Sequence, residues 1–402
     1  MLPSCCRLMS KPTISALSAL AGTRPMNRGF SILQKIITRT RTNVKNIGHF
    51  VRFSIKSGES SSNRFAKMVY IDIPEPKLER YYYLLAKYFE LAGWRVRIRF
   101  SPWLLLNLRN YSFLIYNIKY LRIVTSPPYR PDLELSLKPT EPGKKRVTVD
   151  FNYFKKEKEA GSYIFPYSMH PDVYDRGISE RLDEFRSVRK QIGIFFGGNW
   201  TEKYANPDIK QIFGKINRPT IVAMFEQIID GTDRISVTNY VQLANVLKAP
   251  KIPLLWLKRD VRIEIDEWTR MLARSDFFIC PPGVSMPLSH NAIEAMAVGA
   301  IPILQYSELF DPPLKHMVNC IVFENEDDLI EKIRFCLNLP ITQVRELRSG
   351  VIDYYDDFLD PVKAIGRLYN NLSSLTKIYV NAEHFSMAVY RKEINHDPKP
   401  HS

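Results

Sequence analysis

Glu294 is a single carboxylate set just behind Ser285, Ser289, His290 and Asn291. A carboxylate can accept hydrogen bonds from both hydroxyls of a diol, and neutral polar neighbours add donors and acceptors without adding charge. A helix beginning near Ser289 would aim free N–H groups and a partial positive charge at the same place, which suits phosphate or sugar hydroxyls. The chemistry on offer is recognition of a ligand rich in hydroxyls and phosphate.

Such residues need a rigid mount, and the surrounding stretch, residues 275–304, supplies one. Asp276-Phe277-Phe278-Ile279-Cys280 is a short apolar run that reads as a strand buried on both faces. Pro281-Pro282-Gly283 stops it, because Pro lacks a donor and Gly tolerates positive φ. Ser289 or Asn291 can cap a helix over Ala292–Val298, Gly299 suits its C′ position, and Ile301–Leu304 begins another strand. In a strand–loop–helix–strand unit the loop lies at the carboxyl end of the first strand, where open α/β sheets bind ligands. The same pattern also fits an ordinary βαβ unit whose Glu294 is a solvated helix residue.

A second loop has related chemistry. Ile192–Phe196 reads as a buried strand followed by Gly197-Gly198-Asn199, and two glycines let backbone amides approach a phosphate closely. The full G-x-G-x-x-G is absent, so a plain tight turn explains the pair equally well. Arg218, before Pro219 at a helix start, can reach a phosphate or can be a surface arginine. A group able to deprotonate a hydroxyl must be a carboxylate or a histidine. Asp72, Asp150 and His170 follow strand candidates and qualify, with a purely structural role as the alternative for each.

Pro281, Gly283, Pro287, Ser289, Glu294, Ala295, Gly299, Ile301 and Pro302 together resemble the donor-binding signature of exostosin-like glycosyltransferases. Tyr163-Ile164-Phe165-Pro166, followed by Arg189 and then Ile192–Asn199, resembles that family's interdomain segment. The likeness spans about residues 160–325. It implies an α/β, GT-B-like fold: two Rossmann-type α/β domains facing a cleft, with a basic N-terminal tail. It also implies that Glu294 binds the ribose of a nucleotide-diphosphate sugar, with Gly197, Gly198, Asn199, Arg218, Gly283, Ser285, Ser289, His290 and Asn291 around the donor. The family commonly has an arginine just after the serine matched by Ser289, where this chain has His290 and Asn291. The implied activity moves a sugar from that donor to a glycan or lipid-linked acceptor, with inversion expected. Retaining relatives need no protein base, and the sequence does not decide the stereochemistry. The alternative is a non-catalytic carbohydrate- or protein-binding descendant of the same fold.

No metal-ligand spacing and no D-x-D pair stand out, so no metal and no resident cofactor are expected beyond the nucleotide sugar as co-substrate. A Walker A loop and a G-x-S-x-G elbow are missing, which removes support for kinase, ATPase and serine hydrolase readings. The leaving diphosphate must then be met by amides, a helix N-terminus and Arg218.

The 402 residues are 45% apolar and 25% charged, enough for two domains of ordinary size. The net charge of +15 is concentrated in the tail: residues 1–58 hold ten bases and no acid, leaving 47 bases against 42 acids elsewhere. Phe30, Leu33, Ile36 and Ile37 can share one helical face beside Lys35 and Arg39, the pattern of a helix lying on an anionic membrane surface. A disordered basic tail or a mitochondrial transit peptide fits the same composition. Charge confined to a tail argues against nucleic acid as a partner. Five cysteines without framework spacing suit a reducing, cytoplasmic setting, peripheral to a membrane at most.

The expected division is a tail over 1–65, an acceptor-side domain over 66–185, a nucleotide-sugar domain over 186–376 and a C-terminal tail over 377–402. Strands are expected at Lys67–Ile73, Trp94–Phe100, Phe113–Tyr116, Leu121–Val124 and Arg146–Phe151, with loops at residues 127–131 and 138–143. The aromatic clusters Tyr81-Tyr82-Tyr83 and Phe151–Phe154 suit either an acceptor sugar or the core.

Overall fold

The computed structural model describes residues 44, 47–48, 66–73, 80–101, 110–139, 145–227, 234–259, 261 and 263–396. The apolar face expected at Phe30, Leu33, Ile36 and Ile37 lies outside them, as does nearly all of the basic tail.

Short runs of β-branched and aromatic residues, ended by Gly, Pro or charge, become strands wherever both faces can be covered. In chain order these are β1 (Met68–Asp72), β2 (Arg95–Arg99), β3 (Leu121–Val124), β4 (Leu133–Ser136), β5 (Arg146–Asp150) and β6 (Ser162–Ile164). There follow β7 (Ile192–Phe196), β8 (Arg234–Val237), β9 (Ile252–Leu257), β10 (Ser275–Ile279), β11 (Ile301–Leu304), β12 (Ile321–Val322) and β13 (Lys377–Tyr379). They form two sheets, ordered β3-β2-β1-β4-β5-β13-β6 and β12-β11-β10-β7-β9-β8. Every pairing among them is parallel, for example Val69 beside Leu133 and Phe278 beside Phe195. Two open, helix-connected parallel sheets are the fold class expected from the sequence.

The helices that matter for the site are α1 (Arg80–Leu91), α2 (Pro171–Asp175), α3 (Arg218–Gln227), α4 (Ile265–Ala273), α5 (His290–Ala297), α6 (Ile341–Tyr354), α7 (Pro361–Asn370) and α8 (His384–His396). Tyr81, Tyr82 and Tyr83 are buried in α1, and Phe151, Tyr153 and Phe154 are buried after β5, so both aromatic clusters are core.

Three segments differ from the sequence expectation. Phe113–Tyr116 lies inside a 3-10 helix, Asn110–Asn117, that packs on α1. A short apolar run carries no signal separating a strand from a buried helical turn. Leu133–Ser136, which falls between two Pro-rich loops, is a strand paired with β1 and β4's neighbour β5. Lys377–Tyr379, expected as tail, inserts between β5 and β6, and α8 follows it. The chain therefore returns from the second sheet to complete the first.

Candidate functional site

The second sheet has a switch point at its centre. From β7 the chain moves through α3 to β8 and β9 on one side, whereas from β10 it moves through α5 to β11 and β12 on the other. The loops leaving β7 and β10 thus diverge, opening a crevice at the carboxyl ends of two adjacent strands. Both loops singled out in the sequence lie there.

After β7, Gly198 adopts φ 115°, and a Cβ at this residue would stand 3.3 Å from Asn291 Nδ2 and 3.7 Å from Arg218 Nη1. Only glycine meets both conditions. After β10, Gly283 allows the loop to fold back on itself, since a Cβ would lie 2.8 Å from the Leu288 carbonyl and 2.9 Å from that of Met286. Ser289 occupies the N-cap position of α5 without a side-chain capping bond, and Gly299 with φ 73° follows the helix. Asn291 and Glu294 come next on α5, both buried.

Arg218 is 3% exposed at the start of α3. Its Nε donates to the Pro282 carbonyl at 3.1 Å, Nη1 to that of Asn199 at 2.8 Å, and Nη2 to that of Pro281 at 3.3 Å. The guanidinium also lies 4.2 Å from the Tyr204 ring centroid. Among the described residues no carboxylate pairs with it, and burial lowers its pKa. A buried cation facing carbonyl oxygens and a ring is electrostatically incomplete, and an anion would complete it.

Glu294 is also 3% exposed. Its Oε1 accepts from the His170 backbone N–H at 2.9 Å, and its Oε2 accepts from the Trp268 indole N–H at 2.7 Å. Desolvation raises its pKa to about 7, against the opposing pull of those two donors and of the Arg80 charge. A carboxylate offers about four acceptor directions, so two remain for a ligand diol.

His170 precedes α2 and closes the site from the segment that follows β6. The Asp172 N–H donates to its Nδ1 at 3.3 Å, so the neutral ring carries its proton on Nε2 and donates to the Tyr111 hydroxyl at 3.0 Å. Burial lowers the pKa of His170, and lowers that of His290 much further, with Arg80 adding to both effects. The two rings stand 5.3 Å apart.

These groups enclose a cleft of about 590 Å³ whose walls include His170, Gly198, Asn199, Arg218, His290, Asn291 and Glu294. Seven of the sequence candidates thus converge. Gly197, Gly283, Ser285 and Ser289 do not line it but build the loops behind it; the Ser285 hydroxyl is 2.7 Å from His384 Nδ1 at the start of α8. Asp72 does not line the cleft: at the end of β1 it is 2.9 Å from Arg99 Nη1. Asp150 is likewise elsewhere, accepting from the Asn152 N–H at 2.8 Å with Lys377 Nζ 3.4 Å away. An aspartate at a strand end satisfies neighbouring donors as readily as it serves a site.

Sequence reasoning missed Trp268, Tyr204, Asp172, Arg176 and the wall formed by Leu257, Arg259, Val261, Ile263 and Ile265. Trp268 is four residues into α4, an ordinary buried position in a helical pattern, and nothing local ties it to Glu294, 26 residues later.

No protein-family model matches the chain, and no curated protein matches it. Among solved structures it is similar to Anabaena Alr3699/HepE in complex with UDP and glucose, at 11% identity and TM-score 0.41, over 77% of this chain and 100% of that one. It is also similar to a glycosyltransferase from Rickettsia africae, at 10% identity and TM-score 0.40, over 77% and 99%. AviGT4, a glycosyltransferase involved in avilamycin A biosynthesis, gives 11% identity and TM-score 0.38 over 77% and 97%.

Proposed function

We propose that the chain is a glycosyltransferase that takes a nucleotide-diphosphate sugar as donor and passes the sugar to a glycan or lipid-linked acceptor. One observation carries this reading: a buried arginine with no carboxylate partner among the described residues and a buried glutamate with spare acceptor directions share one cleft at a sheet switch point. Phosphate and a vicinal diol are the ligand features that those two groups recognise, and a nucleoside diphosphate joins them in one molecule. The likeness of residues 281–304 to a donor-binding signature supports the same assignment.

In this reading Glu294 accepts from the ribose hydroxyls. Arg218 and the amides beside Gly198 and at the start of α5 meet the diphosphate and stabilise its charge as the sugar leaves. In this reading the transfer relies on these groups and on no metal ion. The apolar side chains of Leu257, Val261, Ile263 and Ile265 are left for the nucleobase. No described helix is long and apolar enough to cross a membrane, and a lipid-linked acceptor would be met at a surface by the basic tail.

A second reading concerns stereochemistry. Inversion needs a base for the acceptor hydroxyl, and of the three candidates only His170 borders the cleft. Its basic nitrogen, Nδ1, is occupied by the Asp172 N–H, so it could accept a proton there only by giving up that bond, or on Nε2 only after changing tautomer and giving up its bond to Tyr111. Retention needs no such rearrangement, and this favours retention over the inversion expected from sequence.

The test is release of nucleoside diphosphate by the purified protein across a panel of nucleotide sugars, with proton NMR of the freed sugar before mutarotation. Turnover supports the reading, and the first anomer formed decides the stereochemistry. Nucleotide binding without turnover selects the non-catalytic alternative. Absence of both overturns the assignment.

A further inference from the structure

The acceptor geometry at Glu294 depends on two N–H donors that arrive from separate elements. One is the His170 amide, fixed by the backbone before α2, and the other is the indole of Trp268 on α4. The indole ring is wedged against Phe195 of β7 and Phe278 of β10, with centroids 5.4 and 5.7 Å away. Its N–H therefore has one place to point, and the 2.7 Å bond to Oε2 fixes the carboxylate plane. The indole borders the cleft while remaining 9% exposed.

We propose that Trp268 is a positioning residue for nucleotide binding: its indole N–H orients the Glu294 carboxylate toward the ribose and favours its ionised form. The proposal rests on the assignment of Glu294 to the ribose.

A buried carboxylate with no counter-charge in contact ionises only when hydrogen-bond donors compensate for lost water. The His170 and His290 rings share the cleft, with pKa values lowered by burial, and the charged groups facing Glu294 are few. Arg80, at the start of α1, favours the ionised form, and Asp172 on α2 opposes it. The hydroxyls of Tyr167 and Tyr174 also feel its charge. Burial has already raised Glu294 to about 7, so its ionisation is finely balanced at neutral pH. Removing one of its two donors should raise the midpoint by about one unit. A merely structural tryptophan would lack this signature: its loss would weaken binding by the same factor at every pH.

Trp268→Phe keeps an aromatic ring between Phe195 and Phe278 and deletes the N–H. Titration calorimetry with UDP as probe, from pH 5.5 to 9, should show wild-type affinity rising through neutral pH. The variant's rise should be displaced upward, with about tenfold weaker binding at pH 6 and near-equal binding at pH 9. In a Glu294→Gln background the Trp268 substitution should lose its pH signature. Parallel profiles for wild type and variant overturn the proposal. If Glu294→Gln leaves UDP affinity unchanged, the ribose assignment fails instead.

A readout without any substitution guards against a variant that does not fold. Protein labelled with 5-fluorotryptophan has five indoles, and the fluorine line of Trp268 should titrate between pH 6 and 8. A spectrum in which no line moves over that range also overturns the proposal.

Discussion

Arg218→Met removes the cation from the proposed diphosphate site while retaining an unbranched side chain of similar reach. The size of the effect follows from the hydrogen bonds that Arg218 makes within the protein. A guanidinium carries five N–H groups. The carbonyls of Pro282, Asn199 and Pro281 take one each from Nε, Nη1 and Nη2, so one N–H remains on each terminal nitrogen. Two charge-assisted bonds, at roughly 1.5–3 kcal/mol each, contribute at least ~3 kcal/mol to a bound diphosphate, or roughly a hundredfold in affinity. A nucleoside without phosphates never meets those donors. Calorimetry at matched ionic strength should therefore show a loss of about a hundredfold for UDP and little change for uridine, and a thermal melt would establish that the variant is folded. Equal losses for both ligands would mean that Arg218 only braces the loops after β7 and β10. A UDP loss below about threefold would place the diphosphate elsewhere.

Further outcomes follow from the same groups. Glu294→Gln should weaken UDP binding more than ~10-fold and flatten its pH dependence, because an amide cannot accept from a diol at both atoms. Glu294 rises from 4.5 to about 7 on folding, so its stabilising contribution is full below pH 4.5 and is lost as pH climbs through 7. The ligand-free wild type should thus lose up to ~3 kcal/mol between pH 4.5 and 8 through this group, and a denaturation series against the Gln variant would reveal no difference in slope if that is wrong. Donor turnover should persist in EDTA; loss on chelation, restored by Mn²⁺ or Mg²⁺, would place a metal in the reaction. Flotation with anionic liposomes should need residues 1–59 and should fail at high salt, and a chain starting at Ser60 that floats equally well would refute a membrane role for the tail.

What was legible in the sequence is what local chemistry dictates. Pro281-Pro282-Gly283 ends a strand, Gly299 ends a helix, and Gly198 permits a backbone that other residues avoid, so the two loops could be placed from residues alone. Lys377–Tyr379 was not legible as a strand, because its partners β5 and β6 lie more than two hundred residues earlier and a three-residue run has no period to read. Asp72 and Asp150 were reasonable candidates for a base, but Arg99 and Lys377 reach them through sheet register rather than sequence spacing. Trp268 was hidden for the opposite reason: its position in α4 looks like core, and it is core except for one nitrogen.

Arg218 and Glu294 would be far less costly to bury if they touched each other, since a paired charge loses less on leaving water than two solitary ones. The chain keeps them apart. Arg218 is held by three carbonyls and the Tyr204 ring, and Glu294 by two N–H groups. These neutral partners fix the position of each charge without cancelling it, so the field of both is left pointing into the cleft. The cost appears in the pKa of each group, shifted by burial toward its neutral form. A ligand with an anion at one end and hydroxyls at the other relieves both at once, whereas a phosphate or a sugar alone relieves only one. For the proposed donor, a preference over its fragments would follow from a separation of charges that the protein alone would be more stable without.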